Sequence, residues 1–253
     1  MKRFICLMGI LWILCAVMGS FAGCTDAERD GGGADGKAAP SAESPANGPR
    51  RESGPEAETP QAGAAAGILL VNSENPLPEA YRPEALVRLY DQNHRYFQLA
   101  KADIEICETV FEAMDAMFAA AHKDGVTGFI VTSGYRTRAE QQAIFSAAAD
   151  GTAAKPGESE HETGLAFDVT ARGSESFEST PQFAWLFAHC AEYGFILRYP
   201  KGLEAVTGYP FESWHYRYVG EPHAANIMDK GIALEQYVLE LEIESVPAQT
   251  KNT

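Results

Sequence analysis

His161 and Asp168 stand seven residues apart, on either side of a small-residue turn, within Pro156-Gly157-Glu158-Ser159-Glu160-His161-Glu162-Thr163-Gly164-Leu165-Ala166-Phe167-Asp168-Val169. A second run, Glu212-Ser213-Trp214-His215, adds another histidine and another carboxylate. Two imidazoles, one ligating carboxylate, an open position for water and a further carboxylate to move protons are the parts of a catalytic zinc site. Each histidine alone says little, because most histidines are not ligands. Asp168 says more. It interrupts the apolar stretch 165–169, where a carboxylate must face a metal or a basic partner or pay heavily for losing water. Glu212, three residues before His215, is either the base beside the open position or a solvated loop carboxylate, and spacing leaves both open.

The elements that must carry these residues can be sketched from periodicity and punctuation. Residues 68–72 form a short apolar run of strand type, and 81–90 fit a helix with Pro83 in its first turn. Over 103–123 the positions Cys107, Val110, Phe111, Met114, Met117, Phe118 and Ala121 recur every three or four residues, which predicts an amphipathic helix ended by Gly125. A buried strand at 128–132 follows, then Thr137 with Glu140 as a capping box for a helix over 138–149 closed by Gly151. Asp168 falls on a strand at 165–170. Thr180 and Pro181 open a helix that runs to Tyr193 before Gly194, and strands at 195–199 and 213–219 are expected to pair as a hairpin. Helices at 222–229 and 234–241 complete an α+β domain with a mainly antiparallel sheet and helices packed around it.

A net charge of -15 argues against nucleic acid as a partner, because phosphates would be repelled. Lys2 and Arg3 precede the apolar stretch 4–18, and Phe21-Ala22-Gly23-Cys24 resembles a bacterial lipoprotein box. Residues 1–24 are therefore expected to be a lipoprotein-type signal with a lipid on Cys24, the alternative being an uncleaved anchor. Either places the rest of the chain outside the cytoplasmic membrane, tethered to it. Residues 25–66 have almost no large apolar side chain and read as a disordered tether, 67–243 as the folded domain, and 244–253 as a disordered tail. Cys107 and Cys190 fall in apolar patterns, as either a disulfide or two buried thiols.

Taken in order, Ser133-Gly134-Tyr135-Arg136-Thr137 with Gln141, Ser159-Glu160-His161, Gly164-Leu165-Ala166-Phe167-Asp168-Val169, Gly194-Phe195-Ile196, Arg198-Tyr199-Pro200 and Glu212-Ser213-Trp214-His215-Tyr216-Arg217-Tyr218-Val219-Gly220 resemble the VanY-type D-alanyl-D-alanine carboxypeptidase family. The resemblance implies a Hedgehog/DD-peptidase-like fold and a zinc-dependent carboxypeptidase that trims the stem peptides of peptidoglycan. Position by position, His161, Asp168 and His215 resemble the family's Zn2+ ligands, Glu212 its catalytic base and Arg136 its substrate-positioning arginine, with Gln141 and Ser159 in the same pattern. Ser213 departs from it, since proline usually follows that glutamate. Arg136 could instead be a strand-end salt bridge. Arg198 and Arg217 are reserve candidates for substrate binding that alternate with apolar neighbours and could simply face solvent. His94, His122, His189 and His223 have no matching carboxylate and receive no catalytic role. Three rival readings stand beside this one: an iron oxygenase, a catalytically inactive cell-wall-binding module, and an L,D-carboxypeptidase acting on tetrapeptide stems.

Overall fold

The computed structural model describes residues 64–65, 67–148 and 153–245 of the 253-residue chain. The signal-type segment with Cys24, nearly all of the expected tether, Ala149 and Gly151, and residues 246–253 lie outside the described residues. In chain order come β1 (Ala64–Ala65), β2 (Ile68–Leu69), β3 (Leu86–Arg88), β4 (Phe97–Leu99), β5 (Glu105–Cys107), α1 (Glu108–Lys123), β6 (Phe129–Ser133) and α2 (Arg138–Ala147). They are followed by β7 (Ala166–Ala171), α3 (Pro181–His189), β8 (Phe195–Leu197), α4 (Glu204–Thr207), β9 (His215–Tyr218), α5 (Glu221–Lys230) and α6 (Leu234–Ser245). Ala64 pairs with Leu69, and α6 runs to Ser245.

Five strands form the central sheet in the order β4-β6-β7-β9-β8. β4 runs parallel to β6, and every other pair is antiparallel. This is the expected α+β architecture, with β8 and β9 paired as neighbours. α1 lays its apolar stripe against one face: Val110, Met114, Met117 and Phe118 are fully buried, and the Phe118 ring lies 4.7 Å from that of Phe129. α5 and α6 build a second cluster with Ile68, Ile196, Ile227, Leu234 and Val238. Cys107 and Cys190 are buried free thiols, so the disulfide does not form.

Two helical expectations fail, for one reason. Residues 81–90 contain no α-helix, and the helix expected from 103 starts at Glu108. Leu86–Arg88 pairs antiparallel with Glu105–Cys107, and Glu108 N donates to Ala85 O at 2.9 Å. Cys107 is extended (φ -60, ψ 142) and serves as the N-cap of α1. Backbone pairing between segments distant in sequence outweighs the weak local preference of each for helix. The capping box at Thr137 does form, with Glu140 N donating to Thr137 Oγ1 and Glu140 Oε2 accepting from Thr137 N.

Candidate metal centre and active site

Sheet register puts Asp168 and His215 side by side. The two are direct partners on β7 and β9, so their side chains leave the same face of the sheet. On the other side of β7 the register with β6 shifts between Val131 and Ser133, a bulge that sets Ser133 opposite Asp168. His161 comes from a 3-10 turn, Glu160–Thr163, that ends on Gly164 in the left-handed region at φ 71. A side chain at Gly164 would also run into Cys107 Sγ.

The ring of His161 is fixed by Gly134. Its Nδ1 lies 2.7 Å from the Gly134 carbonyl, which can only accept, so Nδ1 carries the proton and Nε2 is free as a ligand. That Nε2 is 3.3 Å from Asp168 Oδ2. His215 Nδ1 is 3.1 Å from Asp168 Oδ1, and its Nε2 is 3.3 Å from Glu160 Oε2. One ligand atom each from His161, Asp168 and His215 lies within 4.8 Å of the others, and all three residues are largely enclosed. Two imidazole nitrogens and a carboxylate oxygen at this spacing match the donor set of a catalytic zinc site.

The charges around the cluster follow from burial and from each other. Burial alone would raise the Asp168 carboxyl, but His161 and His215 beside it hold it well below the usual carboxylate range. Burial pushes His161 down, against the opposing pull of Asp168. Burial also works against charge on His215, yet its hydrogen bonds to Asp168 and Glu160 outweigh it and raise the ring to about 9.

Glu212 and Arg136 flank this cluster in a cleft of about 180 Å³ that is also lined by Ser159, Tyr199, Tyr209 and Trp214. Glu212 Oε2 is 3.8 Å from His215 Nδ1. Its carboxyl is raised, first by burial and then by Asp168, against the pull of His215 and Arg136. The backbone that carries it sits just before β9, which begins at His215 and not at 213; Glu212 N donates to Tyr199 O at 3.1 Å. Arg136 donates to Gln141 Oε1 at 3.1 Å and to Ser133 Oγ at 3.1 and 3.3 Å, and its Nη2 lies 3.4 Å from Asp168 Oδ2. Gln141 in turn donates to Ala154 O at 2.8 Å, so both ends of its amide are engaged and the guanidinium is held in place.

Arg198 and Arg217 do not face solvent and do not enter the cleft. Both are fully buried, and both donate to Glu160, at 2.6 and 2.8 Å. The sequence motifs give Glu160 no role of its own. A signal for it existed: an arginine that follows or interrupts an apolar strand needs a counter-charge if it is to be buried, and Glu160 adjoins His161 in the strongest motif.

The family model described as VanY, D-alanyl-D-alanine carboxypeptidase, matches residues 103–221, which hold every residue of the cluster and cleft named above. The D-alanyl-D-alanine carboxypeptidase of Enterococcus faecium is 33% identical over 187 residues, which cover 73% of this chain and 61% of that relative. The chain thus spans less than two thirds of that relative's length. Among solved structures, the vancomycin-resistance D,D-pentapeptidase VanY from a VanB-type cassette, in complex with Zn(II), is 36% identical at a TM-score of 0.55, over 67% of this chain and 97% of that one. The LD-carboxypeptidase LdcB is 36% identical at a TM-score of 0.59, over 66% and 83%. With this identity and coverage, the chain belongs to the VanY family of D-alanyl-D-alanine carboxypeptidases.

Proposed function

We propose that this chain is a zinc-dependent carboxypeptidase that removes the C-terminal D-alanine from peptidoglycan stem peptides. The observation that carries the reading is the convergence of His161, Asp168 and His215 in one cleft with Glu212 and Arg136. Zinc in that donor set supplies Lewis acidity, bringing the pKa of water down towards about 7 and drawing off negative charge from a carbonyl oxygen. Glu212 takes a proton from the attacking water and returns it to the departing amine; a carboxyl raised by burial suits both steps. Arg136 binds the free terminal carboxylate through paired N–H donors, which an amide or ester end cannot match. Its contacts with Gln141 and Ser133 hold the fork in one orientation before substrate arrives. The likeness to LdcB supports a second reading, L,D-cleavage of tetrapeptide stems at the same site. The sequence of residues 1–24 supports a lipid anchor on Cys24 and action on the wall from the outer face of the cytoplasmic membrane.

The deciding assay incubates the full chain with synthetic pentapeptide and tetrapeptide stems, with and without a chelator, and weighs the products. Chelator-sensitive loss of one D-alanine from the pentapeptide is expected. Cleavage of the tetrapeptide alone would replace the reading by the L,D one, and zinc binding with no turnover of either stem would leave a wall-binding module.

A further inference from the structure

Glu160 has a fully buried side chain, and both of its oxygens are committed. Oε1 accepts from Arg198 Nε at 2.6 Å and Arg217 Nη1 at 2.8 Å, while Oε2 faces Nε2 of His215 at 3.3 Å. Arg198 continues to Glu235 on α6, at 2.9 and 2.5 Å, and Glu235 accepts from Asn72 at 3.2 Å. Arg217 donates onward to Leu69 O at 2.5 Å. Two carboxylates thus face two guanidiniums, and the group as a whole adds no net charge beside the metal ligands.

A buried group of this kind is a poor source of stability, because apolar residues of similar volume often replace it at no loss. What it does supply is direction. A carboxylate saturated on one oxygen by two arginines presents the other only as an acceptor, and the group in front of that oxygen is the Nε2–H of His215. Once that proton is held, the lone pair of the ring is on Nδ1, which faces the Asp168 and His161 cluster. The arrangement mirrors the other imidazole, whose Nδ1–H is held by Gly134 so that Nε2 is free.

We propose that Glu160 is a positioning residue of the metal centre, holding the Nε2–H of His215 so that Nδ1 is the ligand atom. Carboxylates that accept from a ligating histidine fix its tautomer and orientation, and their loss costs about 10–100-fold in metal affinity. The role rests on the zinc reading above, and the two fail differently.

The test is a long-range proton–nitrogen correlation spectrum of full-length, zinc-loaded protein with 15N-labelled histidine, together with zinc affinity by chelator competition. In the wild type, His215 is expected to carry its proton on Nε2, at a downfield, slowly exchanging resonance. E160Q is expected to lower zinc affinity about 10–100-fold and to move that resonance, while the Nδ1–H of His161 stays where it was. A general loss of structure would move both rings. An E160Q protein with unchanged affinity and an unmoved His215 resonance would overturn the role. If E160Q does not fold, the wild-type spectrum decides: a proton on Nδ1 of zinc-bound His215 overturns the proposal. Failure of the wild type to bind zinc at all would instead sink the reading on which it rests.

Discussion

Asp168 and His215 are cross-strand partners, with the carboxylate Oδ1 3.1 Å from the imidazole Nδ1. Both belong to the metal cluster because β7 and β9 pair in this register. A slip of one residue would turn His215 to the opposite face of the sheet. The third member arrives differently, on a 3-10 turn tied to the backbone at Gly134. The cluster is therefore as rigid as the sheet centre and one short turn can make it.

Glu212 lies beside the cluster without being part of it. Glu212→Gln is expected to bind zinc as the parent does while kcat falls by about 10²–10⁴-fold, the range for loss of a general base. Zinc content by mass spectrometry and initial rates on the preferred stem check the two halves separately. A variant with parental kcat would remove Glu212 from the chemistry.

Metal-free His215 binds its proton up to about 9, because hydrogen bonds to Asp168 and Glu160 outweigh the opposing effect of burial. Zinc must displace that proton. Apparent zinc affinity should therefore rise by about tenfold per pH unit from neutrality up to pH about 9, then level off. Calorimetry in two buffers of different protonation enthalpy should count about one proton released near neutrality and none well above the plateau. A flat profile would show that His215 is already neutral in the apoprotein.

Arg136 is set for a planar, two-pronged partner by its contacts to Gln141 and Ser133. Arg136→Lys keeps the charge and loses the fork. KM for stems with a free C-terminus should rise by about 10–100-fold, the equivalent of one charged hydrogen bond, with a smaller change in kcat. Steady-state kinetics on free-acid stems decides this; an unchanged KM would leave the arginine as a partner of Asp168 only.

Gly134 is confined by its surroundings. An added Cβ would overlap the carbonyl oxygen of Glu105 and press on Ile104. Gly134→Ala should destabilise the fold by about 1–3 kcal/mol, as overpacking does, and weaken zinc binding, because the displaced carbonyl is the one that holds His161. Thermal unfolding of the apoprotein and chelator competition read the two effects.

Much of the domain could be read along the chain wherever the cause was local. The capping box at Thr137, the stop of the 3-10 turn at Tyr193 by Gly194, the apolar run of β7 and the apolar stripe of α1 from Val110 to Ala121 depend on neighbours within a few residues. β4 leaves no signal in the sequence and β3 reads as part of a helix, because three residues of strand carry too little pattern to stand out. Each is made a strand by a partner far along the chain, β6 for the one and β5 for the other.

The amino-acid sequence alone determined which side chains could do chemistry: two histidines and an aspartate able to hold a metal, a glutamate nearby, an arginine suited to a carboxylate. It could not place Arg198 and Arg217, whose partner Glu160 is 38 and 57 residues away. A charge is read as surface or core only when its counter-charge is known, and that pairing is decided by which turns and strands the fold brings together. Tertiary structure turned two apparent surface arginines into the support behind His215, because bringing them inside required the Glu160 carboxylate, which the turn at 160–163 sets beside them only once the chain is folded.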